Sequence, residues 1–304
     1  MTEESSFWRQ LSLVFPECYE SVRQTFIDEK RVCFRLNTIK TSSWDEVFSC
    51  LPQGIEYRPV LGCPNTLSVS SDNRGLITHS DAAVTGKIYV QNPSSILLAQ
   101  ALPLQEGDRV LDLAAAPGGK TSILATVKSE LWAVDCSRSR FFRLRDNLER
   151  LGISSVKLLC ADGRKLGRRF FQYFDKILLD APCSGEARFR ADTINSAQLN
   201  SSSRSCYYKQ TALTAAAWQM LRPGGLLLYI TCSLSPLENE AVISHLLKRK
   251  DSARVLPLLL STSVQSGLSS WGKNKVHDDL RLAVRIIPTN EYDSLFACLI
   301  KKLS

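Results

Sequence analysis

Short apolar runs alternate with helical patterns along the second half of the chain, and this alternation limits the possible fold more than any other feature. The strand-like runs are RVLDL, LWAVD, VKLLCAD, KILLD and GLLLYI, and helical patterns lie between and after them, among them residues 137–151 and 236–250. Strand, helix and strand in succession build a parallel sheet that is covered by helices on both faces. The pattern predicts a doubly wound α/β domain over residues 92–304.

Residues 1–91 have a different pattern. Helical stretches at residues 7–14, 19–29 and 44–49 are mixed with short strand-like runs such as VCFRLN and IEYRP. This mixture predicts a small α+β domain. Further along the chain, two serine-rich stretches at residues 201–203 and 261–270 predict loops.

Composition excludes several classes of protein. The 304 residues are 44% hydrophobic and carry a net charge of +8, which allows a sizeable core and favours a polyanionic partner. Ten cysteines without CxxC spacing, and no signal peptide before them, point to a reducing cytoplasmic compartment. The cysteine spacing and the presence of only three histidines argue against a metal site. No apolar run reaches the roughly 18 residues of a membrane helix, so we expect a soluble protein.

A glycine-containing loop, residues 114–121, follows RVLDL and opens a helix, so its backbone N–H groups can hold an anionic ligand. A GxxxxGK[ST] phosphate loop needs Gly at the position of Ala114. A GxGxxG dinucleotide fingerprint is not supplied by the adjacent Gly118 and Gly119. The remaining interpretation is a methionine-sulfonium nucleoside, with Asp135 at the end of the next strand accepting from the ribose hydroxyls.

Two cysteines lie just past strand-like runs. Cys183 follows KILLD in the stretch DAPCSG, and Cys232 follows GLLLYI in the stretch TCS. Parallel strands end at one edge of their sheet, where ligands bind in open α/β folds. The two thiols are therefore expected to share a pocket.

Together these three motifs resemble the Nop/Sun family of S-adenosylmethionine-dependent RNA cytosine-5 methyltransferases, and the match runs from about residue 31 to residue 302. The resemblance implies a Rossmann-like class I methyltransferase fold. Such a fold has a mostly parallel seven-stranded sheet with antiparallel tail strands, here LAVRIIPT and SLFACLIKK, beside a smaller RNA-binding α+β domain. It also implies that S-adenosylmethionine is bound by Ala114, Ala115, Ala116, Pro117, Gly118, Gly119, Lys120, Asp135, Asp162 and Asp180.

In such enzymes a thiolate adds to C6 of the cytosine and makes C5 nucleophilic enough to take the methyl group. A free thiol with a pKa near 8.5 is only a few per cent ionised at neutral pH, so the site must supply a base or a positive field. Spacing alone does not decide which thiol attacks, and DNA cytosine-5 methyltransferases use the Pro-Cys thiol that corresponds to Cys183. The Nop/Sun resemblance implies instead that Cys232 attacks and that Cys183 assists proton removal or release. It also implies that Asp180 holds the N3/N4 edge of the cytosine, with Lys120 nearby.

Two further pairs are expected to touch RNA. Arg35 and Asn37 resemble the Arg-x-Asn element of the family's N-terminal domain, which is associated with RNA contact. Arg188 and Arg190 flank an aromatic residue in a predicted loop and could hold phosphates and a stacked base. This loop departs from the family pattern, because the chain has Ala187 where Gly is usual and lacks the Trp expected beyond Arg190.

The sequence thus predicts a monomeric RNA cytosine-5 methyltransferase, with ribosomal RNA favoured over transfer RNA because no added RNA-binding module is recognisable. One alternative is a ribosome-assembly factor that binds RNA without catalysis. Another is a DNA methyltransferase, although the large target-recognition insertion of those enzymes is not visible.

Overall fold

The structure, a computed structural model, describes residues 4–191 and 196–304. The α-helices of these residues are α1 (Glu4–Val14), α2 (Tyr19–Gln24), α3 (Asp45–Phe48), α4 (Arg74–Thr78), α5 (Asp81–Val84), α6 (Pro93–Gln100), α7 (Thr121–Leu124), α8 (Arg138–Arg150), α9 (Ser196–Met220) and α10 (Glu240–Leu247). The strands are β1 (Val32–Leu36), β2 (Arg58–Pro59), β3 (Thr66–Val69), β4 (Ile88–Val90), β5 (Arg109–Leu113), β6 (Glu130–Asp135), β7 (Lys157–Cys160), β8 (Phe174–Asp180), β9 (Leu221–Thr231), β10 (Ala253–Leu256), β11 (Val264–Ser266), β12 (Ser270–Trp271), β13 (Asn274–Lys275), β14 (Val284–Ile286) and β15 (Phe296–Lys302).

A large sheet forms the centre of the molecule. Its parallel part has the order β7-β6-β5-β8-β9, and β15, β14 and β11 continue it on the side of β9 with antiparallel pairing. Leu226–Ile230 of β9 are all buried, as expected of a strand with packing on both faces. The predicted Rossmann-like fold with an antiparallel end is confirmed.

Three details of the prediction were wrong. The sheet has nine strands instead of seven, because β10 pairs with β15 and β11 extends the antiparallel end. Part of the predicted loop at residues 261–270 is therefore β11, a three-residue strand too short for a clear alternating pattern. The serine stretch at residues 201–203 lies inside α9 and not in a loop, and Ser203 Oγ lies within hydrogen-bond distance of two buried carboxyl groups.

A small antiparallel sheet, in the order β2-β3-β1-β4, lies within residues 32–90 and has its own apolar core. Helices α1 and α2 do not pack on it. Their apolar side chains, among them Phe7 and Leu11, instead contact Ala187 and Leu234, which follow strands of the large sheet. The division at residues 91 and 92 stays a prediction. No helix in the described part of the chain is both long and apolar enough to span a membrane.

Candidate active site

Three adjoining cavities open at the edge where the parallel strands end. We name them the Lys120 cavity, of 320 Å³, the Asp162 cavity, of 250 Å³, and the cysteine cleft, of 380 Å³, which holds Cys183 and Cys232. The sequence-predicted residues that lie in these walls are Ala114, Ala115, Ala116, Pro117, Gly119, Lys120, Asp135, Asp162, Asp180, Cys183, Arg188 and Cys232. The structure therefore brings most of the predicted site together at one edge of the sheet.

The loop between β5 and α7 is held in shape by the neighbouring strand. The backbone N–H groups of Ala114 and Ala115 donate to the Val134 carbonyl at 2.9 and 2.8 Å. Gly118 has φ +104°, and a Cβ there would lie 2.9 Å from Leu144 Cδ1. The positive φ and the close approach to α8 both favour glycine at this position. Gly118 therefore shapes the loop, although it lies in none of the three cavity walls.

Asp112, at the end of β5, presents an incompletely satisfied carboxyl group to the Lys120 cavity. Its side chain is 1% exposed, and its Oδ2 accepts from Thr121 Oγ1 at 2.6 Å. Its Oδ1 is buried without a hydrogen-bond partner. Burial raises the pKa of Asp112 to about 7. A buried carboxyl oxygen in a cavity wall is suited to a ligand that brings a donor or a positive charge.

Asp135 and Asp162 share the wall of the Asp162 cavity. Asp135 Oδ1 accepts from Ser137 N at 2.9 Å, and its Oδ2 pairs with Arg140 at 3.2 Å. Asp162 pairs with Arg164 at 2.7 Å and also caps the short helical turn that follows β7. Both acids therefore have structural partners in addition to facing the cavity. Their predicted cofactor contacts stay a prediction.

Lys120 and Asp180 form an ion pair in the wall of the Lys120 cavity. Lys120 Nζ lies 2.7 Å from Asp180 Oδ2 and 3.4 Å from Ser95 Oγ. The Lys120 side chain is 11% exposed, whereas that of Asp180 is 38% exposed. Asp180 is thus fixed by its partner and still accessible to a ligand.

The two thiols face each other in the cysteine cleft. Their Sγ atoms are 3.0 Å apart, and both cysteines are free. Arg188 Nη2 lies 3.1 Å from Cys232 Sγ. The hydrogen bond from Cys183 and the positive charge of Arg188 lower the pKa of Cys232, while the same bond and burial raise that of Cys183. Sequence spacing left the two thiols equivalent, but their surroundings differ. Cys232, beside Arg188, is the thiol that ionises more readily.

Arg188 reaches Cys232 because the turn that carries it is fixed to the cysteine's own backbone. Gly185 opens this turn with φ +78°, and the N–H of Ala187 donates to the Cys232 carbonyl at 3.0 Å. The Ala187 methyl group packs with the apolar side chains of α1. The departure from the family's glycine therefore adds an apolar contact.

Arg190 lies outside the three cavity walls. Its guanidinium donates to the backbone carbonyls of Ile27, at 2.7 Å, and Asp28. Beyond Arg190, where the family pattern has a Trp, residues 192–195 lie outside the described residues. The RNA contact predicted for Arg190 stays a prediction.

Arg35 and Asn37 are buried, at 7% and 2% exposure. Arg35 donates to Gln91 Oε1 at 2.9 Å and to Ser122 Oγ at 2.6 Å. Asn37 Nδ2 donates to the carbonyls of Gly86 and Leu151 at 2.8 and 2.9 Å. Two of these bonds, to Ser122 on α7 and to the Leu151 carbonyl just after α8, join the region of the small sheet to helices that cover the large one. The structure therefore gives both side chains a joining role, which their predicted RNA contact did not include.

Sequence reasoning missed two cations of the cysteine cleft. Arg140 and Arg143, on α8, lie in the wall that also holds Cys183 and Cys232. The arginine-rich pattern of α8 was the available signal, but it does not show which face meets a cavity. Among the described residues, no group of three or more His, Cys, Asp and Glu side chains is arranged to hold a metal ion.

Comparison with known proteins identifies the family. The chain is 36% identical over 224 residues to ribosomal RNA small subunit methyltransferase F of Shewanella sediminis, covering 71% of this chain and 47% of that protein. The namesake from Escherichia coli is 38% identical over 238 residues, covering 75% of this chain and 50% of that protein. The chain thus spans about half the length of these relatives.

Solved structures agree. The methyltransferase homolog protein from Pyrococcus horikoshii has a TM-score of 0.79 at 31% identity, covering 97% of this chain and 94% of that one. The NSun6 structure from the same organism has a TM-score of 0.78 at 21% identity, covers 98% of this chain and 97% of that one, and shows the shared fold. Residues 99–301 match the profile of 16S rRNA methyltransferase RsmB/F, so the chain belongs to this family, in agreement with the Nop/Sun resemblance of its motifs.

Proposed function

We propose that the chain methylates C5 of a cytosine in small-subunit ribosomal RNA, through a covalent bond between Cys232 and C6. The observation that carries this proposal is the geometry of the cysteine cleft, where Cys232 Sγ lies 3.0 Å from Cys183 Sγ and 3.1 Å from Arg188 Nη2. The reaction needs an attacking thiolate and a protonated group beside it, and this arrangement supplies both. The names of the relatives support ribosomal RNA as the substrate.

In the first step, the Cys232 thiolate adds to C6, and the electrons of the C5–C6 double bond move towards C5 and the N3 edge. Asp180 would orient the base by accepting from its N4 amino group, because its carboxylate is fixed by Lys120 at 2.7 Å and remains accessible. The Lys120 ammonium group supplies positive charge against the negative charge that builds up at the N3 edge, and a group already oriented towards developing charge stabilises it without reorganising. Asp180 and Lys120 are therefore the groups that make addition to an aromatic ring feasible.

The last step removes the C5 proton and expels Cys232 from C6. Cys183 is suited to assist, because its pKa is raised and its Sγ lies 3.0 Å from Cys232 Sγ. We propose that Cys183 gives its proton to the departing Cys232 sulfur and, as the resulting thiolate, takes the proton from C5, so that the two proton transfers balance. Without Cys183, the adduct would form and then persist.

The walls fit S-adenosylmethionine, which supplies an electrophilic methyl group. Asp112 Oδ1 is buried without a partner in the Lys120 cavity, where a ligand ammonium group would complete its hydrogen bonds. Asp135 and Asp162 lie in one wall of the Asp162 cavity and can accept from ribose hydroxyls and an adenine amino group. The loop residues 114–117 line the same set of cavities.

RNA would reach the cysteine cleft along its cationic wall. Arg140 and Arg143 lie beside Cys183, and the whole chain carries a net charge of +8. We further propose that residues 1–91 form the RNA-binding domain and that the protein acts as a monomer in the cytoplasm, where ribosomal RNA is found.

The direct test is methylation of small-subunit ribosomal RNA by the purified chain, with radiolabelled S-adenosylmethionine and bisulfite sequencing to locate the product. We expect one new 5-methylcytosine and none with the Cys232→Ala variant. Methylation of transfer RNA alone would show that transfer RNA, and not ribosomal RNA, is the substrate. RNA binding without transfer would favour a non-catalytic assembly factor, and methylation of DNA would favour the remaining alternative.

A further inference from the structure

Two buried carboxyl groups, Glu186 and Glu238, lie behind the cysteine cleft at 2% and 0% exposure. They meet across two serine hydroxyls. Ser203 Oγ lies 3.2 Å from Glu186 Oε1 and 2.7 Å from Glu238 Oε1. Ser233 Oγ lies 3.2 Å from Glu186 Oε2 and 2.9 Å from Glu238 Oε1. Both carboxyl groups thus belong to one hydrogen-bonded cluster.

The cluster holds the turns that carry the two thiols. Glu238 Oε2 accepts from the backbone N–H of Ser184, next to Cys183, at 3.0 Å. Glu186 Oε2 accepts from the backbone N–H of Leu234, two residues past Cys232, at 2.8 Å. Glu186 also begins the short helical turn that ends at Arg188. One pair of acids therefore fixes both thiol turns and the start of the arginine's turn.

The two serine hydroxyl groups cannot supply a hydrogen to every one of their close contacts if both acids are ionised. Four close contacts join serine oxygens to carboxyl oxygens, yet the two hydroxyl groups supply only two hydrogens. A proton on one of the two carboxyl groups would supply a third hydrogen.

Two glutamine side chains donate hydrogen bonds to the acids but carry no positive charge that could neutralise them. Gln210 Nε2 donates to Glu238 at 2.9 Å, and Gln10 Nε2 donates to Glu186 at 3.3 Å. Two ionised carboxyl groups in such a buried cluster repel each other unless a cation lies between them.

The charged and titratable groups around the cluster do not neutralise it. None of the ion pairs found in the described part of the chain includes Glu186 or Glu238. Arg188 donates to the Cys232 sulfur, and the Tyr229 hydroxyl donates to the Glu238 backbone carbonyl. From α9, the Cys206 thiol hydrogen-bonds to Glu238, and Lys209 lies near Cys206. Burial, with Glu238 next, raises the pKa of Glu186 to about 7.

We propose that Glu186 and Glu238 share one proton near neutral pH and act as positioning residues for the two cysteine turns. The positioning role in methylation rests on the proposed function, whereas the shared proton does not. In the folded protein Glu186 keeps a proton that it releases near pH 4.5 in the unfolded chain. The contribution of Glu186 to stability is therefore present at low pH and is lost as the pH rises towards its folded pKa of about 7.

The first test follows thermal unfolding of the wild-type chain and of Glu186→Gln between pH 5 and pH 8. Gln keeps the shape of a protonated Glu and cannot ionise. We expect the Tm of the wild type to fall relative to that of the variant by about 3 °C or more across this range. The exposed Glu106→Gln control should run parallel to the wild type. Parallel curves for Glu186→Gln and the wild type would overturn the shared proton.

The second test measures alkylation of Cys232 by iodoacetamide, followed by mass spectrometry at pH 6.5 without RNA or cofactor. Glu186→Ala removes the anchor of Leu234 and should slow alkylation by about tenfold, the effect of one lost charge-assisted hydrogen bond. Glu186→Gln should restore the rate to within about twofold of the wild type. Wild-type rates for Glu186→Ala would overturn the positioning role.

If Glu186→Ala does not fold, Glu238→Gln is the variant that tests the proposal. Its alkylation rate should stay near that of the wild type, and its Tm should change with pH in the same way as that of Glu186→Gln. Neither measurement uses methyl transfer, so both results can be interpreted even if the proposed function is wrong.

Discussion

Arg188 and Arg35 show how one kind of side chain serves two regions of this molecule differently. Arg188 is exposed in the cysteine cleft and donates to Cys232 Sγ at 3.1 Å. Arg35 is 7% exposed in the inter-sheet junction, which we define as the bonds from Arg35 and Asn37 to the rest of the chain. A guanidinium whose donors are taken up inside the protein joins elements, whereas one in a cavity wall can act on a ligand or a reactive group. Substitutions in the cleft should therefore remove activity without lowering stability. Substitutions in the junction should lower stability without removing activity.

The largest effect should come from the attacking thiol. Cys232→Ala should abolish both methylation and the covalent RNA complex, because the sulfur that we propose to form the bond to C6 is removed. Cys183→Ala should form the complex and fail to resolve it, since an assisting group is needed only to break that bond. Denaturing gels after incubation with RNA and cofactor should show a shifted band for Cys183→Ala alone. A shifted band for Cys232→Ala instead would give the attacking role to Cys183.

Asp180→Asn should lower the rate of methyl transfer by about 100-fold or more, a typical loss when the stabilisation of developing charge is weakened. The variant should keep the Tm of the wild type, because Asp180 is partly exposed in a cavity wall. Single-turnover kinetics would measure the rate, with the exposed Asp251→Asn as the control. An unchanged rate would remove Asp180 from the chemistry.

Asp135→Ala should weaken binding of S-adenosylmethionine by about tenfold or more, since a hydrogen bond to a charged group contributes roughly 1.5–3 kcal/mol. Calorimetry on the folded variant measures this affinity, and Asp251→Ala is the surface control. Because Asp135 also holds Ser137 N and Arg140, circular dichroism should accompany the titration. Unchanged affinity in a folded variant would contradict the assignment of Asp135.

Asn37→Ala in the junction should lower the free energy of unfolding by about 1–3 kcal/mol, because the Gly86 and Leu151 carbonyls lose their donor. Formation of the covalent RNA complex at low temperature should be unchanged. Urea unfolding with the exposed Asn274→Ala as control measures the difference. Lower RNA affinity at unchanged stability would restore the RNA contact predicted from the Arg-x-Asn element.

The smallest effect belongs to single phosphate contacts. RNA affinity of the wild type should fall steeply with salt, because bound cations release counterions from the phosphates. Arg143→Gln should weaken binding a few-fold and reduce the salt slope by about one, whereas Arg254→Gln, on β10, should change neither. Filter binding between low and physiological salt tests both, and a flat slope for the wild type would argue against RNA.

The sequence predicted the large sheet and the contents of its open edge because the signals are local. The strands of the parallel part are apolar runs, and several site residues, such as Asp135 and Cys183, lie at or within three residues of the end of such a run. The joining role of Asn37 could not be predicted, since its partners are the carbonyls of residues 49 and 114 positions away. The acid pair was missed for the same reason, because Glu186, Ser203 and Glu238 come together only when a helix crosses two loops.

Residues 289–293 have a consequence for the order of synthesis. Ser68 Oγ of β3 donates to Glu291 Oε1 across 223 positions, and Ser94 Oγ donates to the Asp293 carbonyl across 199. Lys30 pairs with Asp293 as well. Contacts of such separation form late, because a long loop must close before they are made. While the ribosome is still translating, the small sheet emerges early yet lacks its last polar partners until residues 291–293 have been made.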